Sequence, residues 1–251
     1  MLREVAEYPN SFIDPRPGLE RIDTGRYTLC MDRSPTANTV QRQRFVTGDV
    51  DEVLAEIRAL LRDRGRTRTE WEVGSAAQPP GLVPMLLARG LVREDDPVAI
   101  ALVMRSEPPP PAAGLVARAV QTFEEYTAAK EVQFVAFDVP APRRAQERVA
   151  LRAEWETAAR LMHGVWLQDE LVCAGTCAAA PHALALFGGA TLPRARGRGA
   201  YRALIHARWR EAQRRGLTAL VTQGGTMSRP ILMRLGFQPV GRVEMLLDEF
   251  D

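Results

Sequence analysis

The stretch HALALFGGATLPRARGRGAYRALIHARWREAQRRGLTALVT, from His182 to Thr222, decides how this chain folds. It opens as an apolar strand, His182–Leu192, with two glycines inside it. A turn follows, RARGRG at Arg194–Gly199. A helix is expected from about Gly199 to Arg215, because Tyr201, Leu204 and Ile205 recur at amphipathic spacing. Gly216 behind the basic pair Arg214–Arg215 is a C-terminal stop. Leu217–Thr222 then reads as a buried strand. Ser228 can cap a further helix with Pro230 in its first turn and Gly236 at its end, and Phe237–Leu247 reads as a closing strand. Strand, glycine turn, helix, strand, helix, strand is an α/β layer arrangement.

The turn carries the chemistry. Gly197 and Gly199 can adopt positive φ and leave backbone N–H groups uncovered. Those groups converge at the positive end of a helix dipole, and Arg194, Arg196 and Arg198 add charge around them. Such a turn suits a diphosphate. A Walker loop is excluded, because no Lys followed by Ser or Thr ends it, and a Rossmann fingerprint lacks its third glycine.

Upstream, Leu115–Thr122 is a short strand candidate. Phe123–Lys130 and Pro142–Met162 carry helical patterns, separated by the apolar run Val132–Val139. Val165–Gln168 and Leu171–Ala178 read as strands around a turn at Asp169–Glu170. Ser106–Gly114, SEPPPPAAG, has four consecutive prolines and reads as an extended spacer. The expected division is therefore 1–105, a linker at 106–114, and 115–251.

The first part is a fainter copy of the second. Asp49 with Glu52 has the spacing of a capping box, opening a helix to about Arg64 that stops at Gly65. Thr69–Val73 is a strand, Leu82–Ala88 a helix stopped by Gly90, and Val98–Met104 a closing strand. LLARGL at 86–91 parallels LMRLGF at 232–237. These ordered matches point to a duplicated half-fold. In place of RARGRG the first copy has VTGDVD at 46–51, whose acids repel a pyrophosphate.

Composition narrows the function classes. Hydrophobic residues are 46% and charged residues 25% of the 251, as in an ordinary globular protein. Against 33 basic residues stand 31 acidic ones, a balance that gives no case for nucleic acid. Cys30, Cys173 and Cys177 form neither a disulfide framework nor a zinc set, and no metal is expected. Cys173 and Cys177 read as small buried thiols on one face of a strand. Met1–Asn10 has Glu4 and Glu7 and no apolar core. A cytoplasmic protein with neither leader nor membrane span is the expectation.

Arg194-x-x-Gly197-x-Gly199, after a long strand and before an amphipathic helix, resembles the R/Q-x-x-G-x-G/A motif of the GNAT acetyltransferases. Leu235-Gly236-Phe237 resembles the LGF sequence near their C-terminus. The resemblance covers about 115–251 as a whole fold, and the first part resembles the degenerate N-terminal unit of tandem GNAT proteins in outline. It implies a mixed central sheet flanked by helices, with a smaller GNAT-like α/β unit in front. It also implies acetyl-CoA as co-substrate and transfer to a primary amine of a small molecule or peptide. A non-catalytic acyl-CoA-binding module or regulatory protein is the alternative.

The resemblance further implies site residues. The N–H groups from Arg196 to Ala200 would hold the pyrophosphate beside Arg194 and Arg198. The main chain of Thr191 and Leu192 would pair with pantetheine, with a splay or bulge near Gly188–Ala190, and Ser228 would contact the cofactor arm. The catalytic side chains stay unassigned. The strand before the loop has no carboxylate, and the family's tyrosine position is Leu232. His182 and Tyr201 are the nearest side chains with suitable chemistry.

Overall fold

The computed structural model describes residues 1–15, 18–157 and 161–251. It is a mixed α/β structure whose chain divides into two compact units. The first comprises Met1–Leu102, Gln223–Leu232 and Pro239–Asp251. The second comprises Val103–Thr222 and Met233–Gln238.

In the second unit the strands are β6 (Leu115–Ala119), β7 (Leu161–Leu167), β8 (Glu170–Ala180), β9 (Ala183–Thr191) and β10 (Ala219–Gly224). Their order is β10-β9-β8-β7-β6. β9 and β10 are parallel, and the other neighbours are antiparallel. Helix α4 (Phe123–Ala136) packs Tyr126, Ala129 and Val132 with Leu151 of α5 (Ala141–Thr157), Met162 and Ala174. Helix α6 (Ala200–Arg214) packs Ala203 and Leu204 with Val165 and Cys173. The β7–β8 turn holds Gln168 and Asp169 at positive φ, as a tight hairpin of right-twisted strands demands.

Two expectations for this unit change. The run Val132–Val139 is no separate segment, because α4 continues through it to Ala136. Its Val132 and Phe134 are buried while Val135 and Phe137 are exposed. The expected helix Pro142–Met162 stops at Thr157, and Leu161 already belongs to β7. Positions 158–160 of that expectation lie outside the described residues.

In the first unit, β1 (Glu20–Asp23), β2 (Thr28–Met31), β3 (Asn38–Gln41), β4 (Arg68–Gly74) and β5 (Val92–Met104) are joined by the chain's last strand, β11 (Gln238–Glu249). Their order is β1-β2-β3-β4-β11-β5. Helix α2 (Val50–Arg62) buries Val50, Val53, Leu54, Ile57 and Leu61 against Trp71, Leu29, Val40 and Leu246. Like β9 and β10, β3 and β4 are a parallel pair connected through one long helix. The sequence places Phe237–Leu247 with the second part of the chain. The structure pairs β11 antiparallel with β4, from Val243 opposite Gly74 to Glu249 opposite Arg68. Arg58 of α2 fixes that register through Asp248, whose side chain is buried, with contacts of 3.0 and 2.6 Å. Asp49 makes no capping bond. Its backbone is already helical in the turn Thr47–Asp49, and a capping residue must be extended.

The first unit also buries a polar cluster. The Glu72 carboxylate of β4 accepts the amides of Gln41 (2.7 Å) and Gln223 (2.8 Å). Burial pushes its carboxyl up from 4.5 to about 7, against the opposing pull of the Gln223 amide. A raised carboxyl holds its proton more tightly in the folded state. The stability it contributes is full below pH 4.5 and is lost as pH rises to about 7. Glu72→Gln should flatten the decline in the urea midpoint across that window and raise the midpoint at about pH 8. The expected gain is at most roughly 3 kcal/mol. An unchanged slope in the variant would assign the titration to another group.

Candidate functional site: a strand bulge beside an open glycine loop

The pairing of β9 with β10 is short. Ala183, Leu184 and Ala185 stand opposite Ala219, Leu220 and Val221, and the register ends there. The Thr222 hydroxyl bridges once more to the Leu186 carbonyl, at 3.2 Å. Beyond that point β9 continues to Thr191 with no β10 partner among the described residues. On its other side β9 bulges. Ala174 faces Ala190 and Thr176 faces Phe187, so Gly175 alone opposes both Gly188 and Gly189. Gly188 has φ +54°. From α4, the Gln133 amide donates to the Gly188 carbonyl at 2.6 Å. From α6, the Tyr201 ring lies 2.8 Å from where a Gly189 Cβ would stand. The bulge falls where the resemblance places the opening for pantetheine.

The loop follows directly. After Thr191 the chain makes a 3-10 turn, Pro193–Ala195, and then Gly197 (φ +75°) and Gly199 (φ +81°) turn it into α6. Both take the left-handed conformation that a side chain disfavours. The N–H groups of Gly197, Arg198, Gly199 and Ala200 have no intramolecular acceptor among the described residues. They stand at the positive end of a 15-residue helix. Open space surrounds Gly197, where a Cβ would meet nothing within 4 Å.

The neighbouring charges are partly committed. Arg194 pairs with Glu170 of β8. Arg196 donates its Nε to the Thr191 carbonyl at 3.3 Å. Arg198 is exposed. Thr191 and Leu192 are not equivalent. The Leu192 N–H donates to the Val172 carbonyl at 3.0 Å, whereas neighbouring residues of an antiparallel strand point opposite ways. Thr191 is therefore the one that turns its main chain towards the unpaired edge. Ser228 precedes α7 (Arg229–Arg234), in the segment that packs with the first unit. Its carbonyl accepts the N–H groups of Ile231 (3.1 Å) and Leu232 (3.0 Å).

Of the two catalytic candidates the structure brings one to the bulge. Tyr201 is there, and burial raises its phenol, which stays protonated. His182 is exposed in the β8–β9 turn at φ +64°, where its carbonyl accepts both the N–H and the hydroxyl of Thr218. Seven residues of extended strand put Gly189 roughly 20 Å beyond it. Leu232, the expected position of a tyrosine, is 1% exposed and packs with Leu102 around Gly224. A tyrosine there would overfill the core, so a harmless Leu232→Tyr is not to be expected.

Sequence reasoning missed a buried basic group beneath the bulge. Arg208 of α6 is 1% exposed, and its Nη2 donates to the Phe187 carbonyl at 3.4 Å. Gly175 makes room for it, since a Cβ there would stand 1.8 Å from Nη2. A charged residue four positions after Leu204, on the apolar stripe of α6, was the available signal. Gln133 was hidden inside an apolar run. Cys173 and Cys177 do share the α6 face of β8. The Thr191 hydroxyl donates to Cys173 Sγ at 3.1 Å, and Cys177 Sγ lies 3.7 Å from His163 Nδ1.

In the first unit the chain itself fills the end of β4, the strand that follows its long helix. Helix α1 (Leu2–Glu7) delivers Glu7 and Tyr8 to the end of β4. Tyr8 Oη accepts the Gly74 N–H at 2.9 Å, and the Glu7 carboxylate accepts those of Ser75 (3.3 Å) and Ala76 (3.4 Å). Both side chains are buried.

Burial pushes the thiols of Cys173 and Cys177 up to about 11, and Cys30 is also buried. The native protein should therefore show no fast reaction with a colorimetric disulfide reagent and three reactive thiols in denaturant. A rapidly titrating thiol in the native state would contradict the placement of the three.

No protein-family model matches this chain, and no curated protein does. Solved structures do. A GCN5-related N-acetyltransferase from Kribbella flavida superposes with a TM-score of 0.75 at 17% identity, over 99% of this chain and 95% of that one. A tandem GNAT protein from the clavulanic acid biosynthesis pathway superposes with a TM-score of 0.65 at 19% identity, over 99% and 87%. A GCN5-related N-acetyltransferase from Sphaerobacter thermophilus gives 0.67 at 15%, over 91% and 82%. This chain has the fold of the GNAT acetyltransferases.

Proposed function

We propose that this chain is an N-acyltransferase, moving an acetyl group from acetyl-CoA to a primary amine of a small molecule or peptide. The observation that carries the proposal is the sequence of β9 bulge, Thr191 edge without a β10 partner and open N–H cradle at Gly197–Ala200. A strand edge freed on one side can hydrogen-bond an amide-bearing arm as if it were another strand. The cradle that ends it suits a diphosphate. When bound, the thioester supplies the activated acyl group. The chain's part is then positioning. Gln133 and Tyr201 hold the bulge from its two faces, and Arg208 places a fixed positive charge beneath it. No cluster of three His, Cys, Asp or Glu side chains that could hold a metal ion occurs among the described residues. No helix among them is long and apolar enough to cross a membrane. The expected setting is the cytoplasm.

One observation favours the second reading, a non-catalytic acyl-CoA-binding module. β9 carries no carboxylate, and neither His182 nor Leu232 is placed for proton transfer. Thiol release with a panel of amines separates the two. Release above the rate in water supports the transferase, and tight binding without release supports the module.

Calorimetric titration with coenzyme A should give one site per chain, because Glu7 and Tyr8 already occupy the place beside β4 in the first unit. Gly197→Asp should weaken that binding by roughly 100-fold or more. It sets a negative charge against two charge-assisted bonds of about 1.5 kcal/mol each. Gly197→Asn should lose less, since asparagine tolerates positive φ and adds no charge. Two equivalent sites, or equal losses from Asp and Asn, would move the cradle elsewhere.

The rate with a saturating amine should climb towards the amine's own pKa, and His182→Ala should change it less than about threefold. A general base contributes roughly 100-fold or more. A loss of that size, with coenzyme A affinity unchanged, would make His182 the base and require the strand to fold back on itself.

A further inference from the structure

Tyr201 sits where the bulge of β9 meets the first turn of α6. Its ring fills the space that a side chain at position 189 would need: a Cβ on Gly189 would stand 2.8 Å from Cε2 and 3.1 Å from Oη. Packing therefore fixes the ring. The hydroxyl is not fixed in the same way. No hydrogen bond engages it among the described residues. Nor is it sealed from solvent as Arg202 Nε and Arg208 Nε are, two buried and unpartnered nitrogens of the same helix. A tyrosine that buries its ring ordinarily commits its hydroxyl to a partner. Tyr201 is partly buried and keeps its one donor uncommitted.

Arg208 stands seven positions further on, on the same face of α6. It is 1% exposed and has no ion pair among the described residues. Its hydrogen bond there runs to the Phe187 carbonyl at 3.4 Å. A buried charge without an acid beside it is costly to a fold. One helix thus brings two unsatisfied features to one bulge, a free hydroxyl donor and an unpaired cation. They act on each other. Burial raises the Tyr201 phenol, and the Arg208 charge pulls it back down.

The bulge also lies at the right place along the strand. Two residues of extended chain, about 7 Å, separate Thr191 from Gly189. An arm that pairs with Thr191 and runs away from the Gly197–Ala200 cradle brings its sulfur end to Tyr201. Neither His182 nor Leu232 is placed to serve there.

We propose that Tyr201 is the catalytic proton donor of the reaction, its hydroxyl delivering a proton to the sulfur as the thioester breaks; this rests on the acyl-transfer reading above. The amine nitrogen bonds to the carbonyl carbon, the C–S bond breaks, and the sulfur leaves with the electron pair. Tyr201 gives that sulfur its phenolic proton and regains one from water, while the attacking nitrogen loses one to water. The Arg208 charge favours the transient phenolate.

The test compares the full chain with Tyr201→Phe, which keeps the ring against Gly189 and removes the hydroxyl alone. That hydroxyl holds no bond within the described residues, so the thermal midpoint should not change. The first readout needs no turnover. With coenzyme A bound at saturation, the ultraviolet absorbance of its thiolate is followed against pH, with desulfo-coenzyme A as the blank. A donor at the sulfur stabilises the thiolate, so the bound thiol should be about tenfold more acidic in the parent chain than in Tyr201→Phe. Affinity for coenzyme A at neutral pH should be the same in both. With acetyl-CoA and a reactive amine, kcat should fall about 100-fold at unchanged KM. Equal thiol acidity in the two proteins, with transfer intact, overturns the proposal and leaves the transferase reading standing. Absence of transfer to any amine overturns that reading, and the thiol titration then still decides whether Tyr201 meets the sulfur. A parent chain that does not bind coenzyme A overturns both.

Discussion

The chain's candidate chemistry depends on one interruption: β9 pairs with β10 over three residues and then leaves it. A parallel ladder that continued would bury the edge of Thr191 and seal the strand against any ligand. Continuation is prevented by the extra residue at Gly188–Gly189, which turns the second half of β9 relative to the first. The bulge is held from both faces. Gln133 takes the Gly188 carbonyl, and Tyr201 presses on Gly189. The Gly188 carbonyl is exposed, so the Gln133 amide replaces water there and adds a modest hydrogen bond that ties α4 to the bulge. Because Tyr201 lies in the first turn of α6, the same contact sets where that helix begins, and with it the direction of the loop's N–H groups.

The two parallel strand pairs of this chain resolve the same problem differently. A strand that leads through a glycine turn into a helix exposes N–H groups with no internal acceptor. In the second unit they remain open at Gly197–Ala200. In the first, Asp49 and Asp51 stand at the corresponding turn, and the chain also fills a different position, the end of β4, where Tyr8 and Glu7 accept the N–H groups of Gly74 and Ser75. An acceptor tethered to the chain has a high effective concentration and excludes a free anion. Closing that site adds buried polar groups, and the raised Glu72 carboxyl shows what their burial costs.

The loop, α6 and the strands on either side of it were legible because local rules decide them: glycine where φ must be positive, apolar spacing of 3.6, a basic pair before a stop. β1, β2 and β3 were not, since strands of four residues carry too little alternation to stand out. The place of β11 was hidden for another reason. Its own pattern is strand-like, but its partner β4 lies near the other end of the chain, and pairing at that distance leaves no local trace. Arg208, His163 and Gln133 share this difficulty. Each is unremarkable in its own helix or strand, and each gains meaning from an element that only the fold brings near.

The groups around the bulge constrain any reaction proposed there. His163 is neutral and buried, and the two cysteine thiols remain protonated. Tyr201 keeps its proton as well, because burial disfavours the phenolate. Arg208 is the permanent charge beneath the strand. The set offers positive potential and protonated hydroxyl or thiol groups, and no base. Such a site can stabilise negative charge that develops on a carbonyl oxygen or a departing sulfur, but it cannot remove a proton from an ammonium ion. An amine must then arrive unprotonated or lose its proton to water. Under the proposed reading, rate is set by how much free amine exists at a given pH and how well α4 and α6 position it.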